Sequence, residues 1–263
     1  MVGPALQRCC PDETEKDDMA QAVVTGATSG IGQAIALALH RAGHQVIAIG
    51  RDPEALSRLK AQGLTPLALD LGDVTGLSDR LATALSGLEP DVLVNNAGMV
   101  APPGNFCDMA EADIHRSIAT NVTQALLTTR AIAPGMRSRG RGHIFFTGSV
   151  AAHTPYPNMA VYAATKAALG GFAQSLRLDL SAAGVRVTEI VAGRVESPLY
   201  KDVLTLEARA AMYAGNTAVQ PDDVAAMVLA VLGMPPHVDV ARFDILPARQ
   251  PVTPQVPSSE TKK

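Results

Sequence analysis

The sequence predicts an α/β fold: a single domain built on a doubly wound, seven-stranded parallel sheet with helices on both faces. Three observations carry that reading. Seven short β-rich runs alternate with longer helix-compatible segments along 263 residues. The runs are apolar along nearly their whole length, which is the pattern of strands covered on both faces of a parallel sheet. The first run ends in a glycine-rich turn that opens directly into a helical pattern.

The strand-like runs are, in order, QAVVT, HQVIAI, LTPLALDL, DVLVNNA, GHIFFTG, VRVTEIV and VARFDIL. Each of the first six leads into a segment that can be helical, at 30–42, 52–61, 74–86, 108–138, 158–183 and 198–213, and a further helix at 221–233 precedes the last strand. Strands separated by crossover helices pair in parallel, so the alternation specifies a Rossmann arrangement. Residues 1–18 are polar and aperiodic and are expected to form a disordered leader, with Met19 as an alternative start. The proline- and serine-rich residues 251–263 are expected to be a flexible tail, because they offer little apolar surface to offset the entropy of ordering. The domain is therefore expected over residues 19–250.

Composition narrows the classes of function. With 47% hydrophobic against 18% charged residues, the chain has the make-up of a soluble globular domain. A net charge of -3 without basic blocks gives nucleic acid no electrostatic footing, and a small-molecule partner is expected instead. Cys9, Cys10 and Cys107 make neither a disulfide framework nor a zinc spacing, so no metal and a reducing, cytoplasmic setting are expected. No run approaches the ~18 apolar residues of a membrane span, which argues against membrane association.

The turn after the first strand reads TGATSGIG. Gly26, Gly30 and Gly32 allow a tight turn and a close approach of backbone to a pyrophosphate at the positive end of the following helix. Thr28, Ser29 and Ile31 lie between them and complete the candidate cofactor loop. The second strand ends IAIGRDPEAL, where an NAD-selective site usually carries a carboxylate and a cation accommodates a 2′-phosphate. Gly50 removes the side chain and Arg51 supplies the cation, which favours NADP over NAD. Asp52 has another occupation, as N-cap of a helix with Pro53 at its first position.

At 162–166 the chain reads YAATK. Tyr162 and Lys166 are spaced i,i+4, which brings phenol and ammonium to one helix face. A nearby positive charge favours phenolate and is expected to lower the tyrosine pKa toward the range useful for proton exchange. Together with TGATSGIG, NNAG at 95–98, Asn121 and Ser149, this order and spacing resembles the short-chain dehydrogenase/reductase family over residues 20 to about 250.

The resemblance implies an oxidoreductase acting on CH–OH groups, with the nicotinamide carrying the hydride. It implies that Tyr162 is the acid/base, that Lys166 lowers its pKa and holds the nicotinamide ribose, that Ser149 binds the substrate oxygen, and that Asn121 completes a proton relay through Lys166 and water. It further implies cofactor contacts from Asp70 and Leu71 near the adenine, from Asn95, Ala97 and Gly98 in a largely structural loop, and from Gly193 and Val195. Ala192 stands where the family generally has proline, which removes a stiffening element from that loop.

The segments GVRVTEIVAGRVESPLY and HRAGHQVIAIGRD resemble the family's NADP-dependent 3-hydroxy acid and serine dehydrogenases more narrowly. Such a substrate needs a cation for its acid group. Arg194 is the candidate, since a guanidinium binds a carboxylate or sulfonate bidentately, and His153 is a candidate pocket contact beside Tyr156 and Met159. Two other readings stay open at this point: a ketone or secondary-alcohol reductase for a bulkier neutral substrate, and a non-catalytic dinucleotide-binding regulator. The resemblance also implies a homo-oligomer, dimer or tetramer, with the small residues Ala167, Ala168, Gly170 and Gly171 admitting another helix.

Overall fold

The computed structural model describes residues 20–249 apart from 155 and 216. The expected leader, the alternative start at Met19 and the expected tail lie outside the described residues.

The strands are β1 (Gln21–Thr25), β2 (Gln45–Gly50), β3 (Thr65–Ala68), β4 (Val92–Asn95), β5 (Gly142–Thr147), β6 (Val185–Ala192) and β7 (Arg242–Ile245). The helices are α1 (Gly30–Arg41), α2 (Pro53–Ala61), α3 (Leu77–Ala84), α4 (Glu111–Ile118), α5 (Gln124–Arg139), α6 (Ala160–Ser181), α7 (Leu206–Tyr213) and α8 (Pro221–Leu232). All seven strands are parallel in the order β3-β2-β1-β4-β5-β6-β7, as the alternation requires. The chain winds outward from β1 to β3, then crosses to β4. That reversal opens a crevice at the carboxyl ends of β1 and β4, where doubly wound sheets bind their ligands.

Two apolar layers flank the sheet, and the side-chain period of two divides each strand between them. Ala22, Val24, Val46, Ala48, Val92 and Val94 face the layer built with α1 and α8. Val23, Ile47, Ile49, Leu93, Ile144, Phe146, Val185 and Val187 face the layer built with α3, α5 and α6. A fully buried side chain such as Phe146 contributes about 1.5–3 kcal/mol relative to exposure. This explains why the strands read as continuous apolar runs.

Two expected helices are divided. The segment 108–138 becomes α4, a π-helical turn at Ala119–Thr123 and α5. The extra residue in that turn coincides with Asn121, whose buried amide is bonded outside the helix, as described below. The segment 198–213 breaks into a short 3-10 turn at Pro198–Tyr200 and α7, because Thr205 starts a new helix by accepting the Ala208 N–H at 3.2 Å. Among the described residues, no helix is long and apolar enough to cross a membrane.

Candidate active site

The crevice begins at the turn between β1 and α1. Gly26 and Gly30 adopt φ values of +65° and +53°, in the left-handed region that favours glycine. A Cβ at Gly32 would stand 2.4 Å from the Gly26 carbonyl oxygen and 2.3 Å from Asn96 Nδ2, so only hydrogen fits. Ser29 occupies the N-cap of α1 without a side-chain cap bond, and the first turn carries no acidic residue. By contrast, Asp52 caps α2 through the Glu54 and Ala55 N–H groups at 3.0 and 3.1 Å. An open, positively polarised helix start behind a glycine turn fits a dinucleotide pyrophosphate. Thr28 packs against Gly50, where a Cβ would meet its methyl at 2.3 Å, and Ile31 backs onto the core.

At the end of β2, Arg51 is exposed and its Nη1 lies 3.7 Å from Asp70 Oδ2. Asp70 Oδ1 accepts the Gly72 N–H at 2.9 Å, so this carboxylate closes a turn as well as facing the arginine. Leu71 is buried beside it.

Asn95 does not face the crevice. Its Nδ2 donates to Thr129 Oγ1 on α5 at 3.0 Å, and the side chain is 2% exposed, so its part is structural. Its neighbour Asn96, which the sequence motif does not single out, ties the crevice together. Asn96 Nδ2 donates to the Thr25 carbonyl at 3.2 Å, and its Oδ1 accepts from Thr147 Oγ1 at 3.3 Å. Thr25 Oγ1 accepts the Asn96 and Ala97 N–H groups at 2.9 and 3.0 Å. The ends of β1, β4 and β5 are thereby held in register.

Asn121 is fully committed within the protein. Its Oδ1 accepts the Met99 N–H at 2.7 Å, and its Nδ2 donates to the Met99 carbonyl at 2.9 Å and to Thr165 Oγ1 at 3.1 Å. A Cβ at Gly98 would sit 3.3 Å from Asn121 Oδ1 and 3.7 Å from Lys166 Nζ, which brings the π-turn, the 97–99 loop and α6 to one point.

Ser149, Tyr162 and Lys166 converge there. Ser149 Oγ accepts the Ala151 N–H at 3.1 Å, which leaves its proton to give. Lys166 Nζ donates to the Thr147 carbonyl at 2.7 Å and lies 5.7 Å from the centroid of the Tyr162 ring. Burial pulls the ammonium down to about 8, against the attraction of Glu189. The phenol departs from expectation. Burial pushes Tyr162 up to about 12, and the opposing influence is a hydrogen bond with Ser149, not the lysine charge. The i,i+4 spacing sets proximity, but the ammonium is turned toward a carbonyl, and desolvation wins.

After β6 the chain passes Gly193, where a Cβ would stand 2.8 Å from Leu246 Cδ2. The loss of the family proline at Ala192 is met by other means. The Val219 N–H donates to the Arg194 carbonyl at 2.8 Å, and the Glu196 N–H donates to the Val219 carbonyl at 2.9 Å, which pins the loop on either side of the buried Val195. Arg194 Nη1 donates to the Met212 carbonyl at 2.9 Å, tying the loop to α7. Around it gather Tyr200 and Tyr213, which the sequence does not mark. Burial raises the Tyr200 phenol above its ordinary value, and Tyr162, Tyr213, Arg194 and Tyr156 all lie near enough to act on it. His153 is 40% exposed, with Nε2 at 4.0 Å from Glu189 Oε1. Gly170 faces this same carboxylate and not a neighbouring helix, whereas Gly171 is exposed with open space around it.

The family model for short chain dehydrogenases matches residues 20–207. A sulfoacetaldehyde reductase of Chromohalobacter salexigens is 36% identical over 86% of this chain and 93% of its own. An NADP-dependent 3-hydroxy acid dehydrogenase of Escherichia coli is 35% identical over 87% of this chain and 95% of its own. A closed form of serine dehydrogenase complexed with NADP+ superposes with a TM-score of 0.83 at 33% identity, covering 90% of this chain and 98% of that one. The chain therefore belongs to the short-chain dehydrogenase/reductase family, as an NAD(P)-dependent oxidoreductase acting on CH–OH groups.

Proposed function

We propose that the protein moves a hydride between NADP and a small 3-hydroxy acid or its semialdehyde, of the serine, allo-threonine or 3-hydroxypropionate type. The observation that carries the acid class is the placement of Arg194. Its guanidinium lies close enough to act on Tyr200, as does Tyr162, and a single N–H, on Nη1, donates within the described residues. A guanidinium has five donors, so most of the fork remains for a carboxylate or sulfonate. The preference for NADP is supported by Gly50 and the exposed Arg51 at the end of β2.

When bound, the nicotinamide supplies or accepts the hydride. The protein's part is the proton. Tyr162, standing at about 12, is protonated at neutral pH and is the donor to the substrate oxygen in reduction; in oxidation it accepts the alcohol's proton only as its own proton leaves along the path past Asn121 to water. Ser149 turns its proton from the Tyr162 oxygen to the substrate oxygen and polarises the carbonyl. Lys166, held on the Thr147 carbonyl 5.7 Å from the Tyr162 ring centroid, acts on the phenolate left behind only by turning toward it, and the proton path continues past Asn121 through water. Gly26, Thr28, Ser29, Gly30, Ile31, Gly32, Arg51, Asp70, Leu71, Ala97, Gly98, Gly193 and Val195 are the proposed cofactor contacts, with Asn95 acting from behind them.

The test is NADP-linked oxidation of serine, allo-threonine, 3-hydroxypropionate and a set of neutral secondary alcohols, with Tyr162→Phe as blank. Turnover of the acids, lost in the blank, supports the reading. Turnover of neutral alcohols alone removes the acid class. In Arg194→Ala, KM should rise much more for an acid than for a neutral alcohol, and an equal rise would take Arg194 out of the anchoring role.

A further inference from the structure

Among the described residues, two charged side chains other than histidine are fully buried, Lys166 at 5% and Glu189 at 1% exposure. Lys166 has a place in the mechanism, and Glu189 does not yet. Strand β6 presents Val185 and Val187 to the α6 layer and then, on the same face, this carboxylate. Neither of its oxygens has a hydrogen-bond partner among the described residues. A buried carboxylate without such partners is costly, so its position calls for a purpose.

The surroundings are built for it. A Cβ at Gly148 would stand 2.7 Å from Glu189 Oε1, and one at Gly170 would stand 2.9 Å away. Gly148 lies between Thr147, whose carbonyl receives the Lys166 ammonium at 2.7 Å, and Ser149. Gly170 lies one turn beyond Lys166 on α6. The charged and titratable groups facing the carboxylate are Lys166 from α6, His153 from the turn after Ser149, and Arg242 and Asp244 from β7. Of these, His153 Nε2 stands 4.0 Å from Oε1, and Arg242 and Asp244 are paired with each other at 2.9 Å.

We propose that Glu189 is a positioning residue of the active site: its carboxylate is the counter-charge that keeps Lys166 an ammonium. In this way it sets the alkaline limit of activity. Burial drives Lys166 to shed its proton, and Glu189 pulls the other way. Without the anion the lysine neutralises at lower pH. The same burial holds the Glu189 carboxyl above its ordinary value. A carboxyl raised in the fold contributes stability below its unfolded pKa and loses it as pH rises through the folded one. The charge is therefore maintained at some cost to stability.

This inference rests on Lys166 working as an ammonium, but one arm of its test needs neither substrate nor cofactor. Cofactor-free wild type and Glu189→Gln are melted across a series of pH values. The melting temperature of the Gln variant relative to wild type should rise with pH above the ordinary carboxylate range, and a difference that does not change with pH would overturn the charged role. In the second arm, kcat with NADP is followed against pH. The alkaline limb of Glu189→Gln should fall by about one pH unit, as for loss of a close opposite charge, while Glu189→Asp keeps the wild-type limb. An unmoved limb in Gln, or a limb in Asp displaced as far as in Gln, would assign Glu189 to packing and overturn the proposal. A wild type without any turnover would refute the reading of the site, and the melting arm would still decide whether Glu189 is charged.

Discussion

Replacing Lys166 by methionine should make the cofactor-free protein more stable and inactive. The fold lowers this ammonium from 10.5 to about 8, chiefly by burial. That difference corresponds to about 3 kcal/mol by which the folded state disfavours the charge at neutral pH. Methionine has a similar reach and no charge to desolvate. Against the gain stands the Thr147 carbonyl, which loses its 2.7 Å donor at a cost of about 1 kcal/mol. The net gain is about 2 kcal/mol, or about 5 °C in melting temperature for a domain of this size.

The sign follows from proton counting. Below about 8, folded and unfolded lysine are both charged, and the cost is fully present. As pH rises from about 8 to 10.5, the folded state releases its proton first, so wild-type stability should climb through that window while the Met variant shows no such gain. Melting of both proteins at neutral pH and across the window checks this. A Met variant that melts below wild type at neutral pH, or a wild type without the climb, would refute the reasoning.

Three further outcomes are expected. Arg51→Ala should weaken NADP use by about tenfold or more while leaving NAD nearly unchanged, as loss of a charged hydrogen bond implies, and the ratio of the two kcat/KM values reports it. Gly32→Ala, whose methyl would overlap the Gly26 carbonyl and Asn96, should cost about 1–3 kcal/mol in melting experiments; unaltered cofactor affinity in a fluorescence titration would show that α1 does not meet the pyrophosphate. Light scattering should give a dimer or tetramer, joined through exposed small and apolar residues of α6 such as Ala164, Ala167, Ala168, Gly171 and Leu178, and a monomeric mass would refute that.

The sheet was legible because each strand is apolar on two faces, a pattern that survives any ambiguity about helix ends. The Tyr162–Lys166 contact was legible from spacing alone. What spacing does not carry is the dielectric around a group, so the direction of the Tyr162 shift came out opposite to expectation. Nor does a motif say which of two adjacent amides faces a crevice: strand alternation sends Asn95 to α5 and leaves Asn96 to bridge β1 and β5. The π-turn at Asn121 has no hydrophobic period to betray it. Glu189 was concealed inside the strand VRVTEIV, although a lone carboxylate in an apolar run was there to be read.

The bridge between Val195 and Val219 changes what kind of object the intervening segment is. Its two ends meet at one staple beside the cofactor crevice, so the chain leaves and returns at nearly the same place. Segments closed in this way tolerate changes of length at small entropic expense. The stretch carrying Tyr200, α7 and Tyr213 is in effect an exchangeable cassette, whose two ends stay fixed at that bridge whatever length or sequence lies between them.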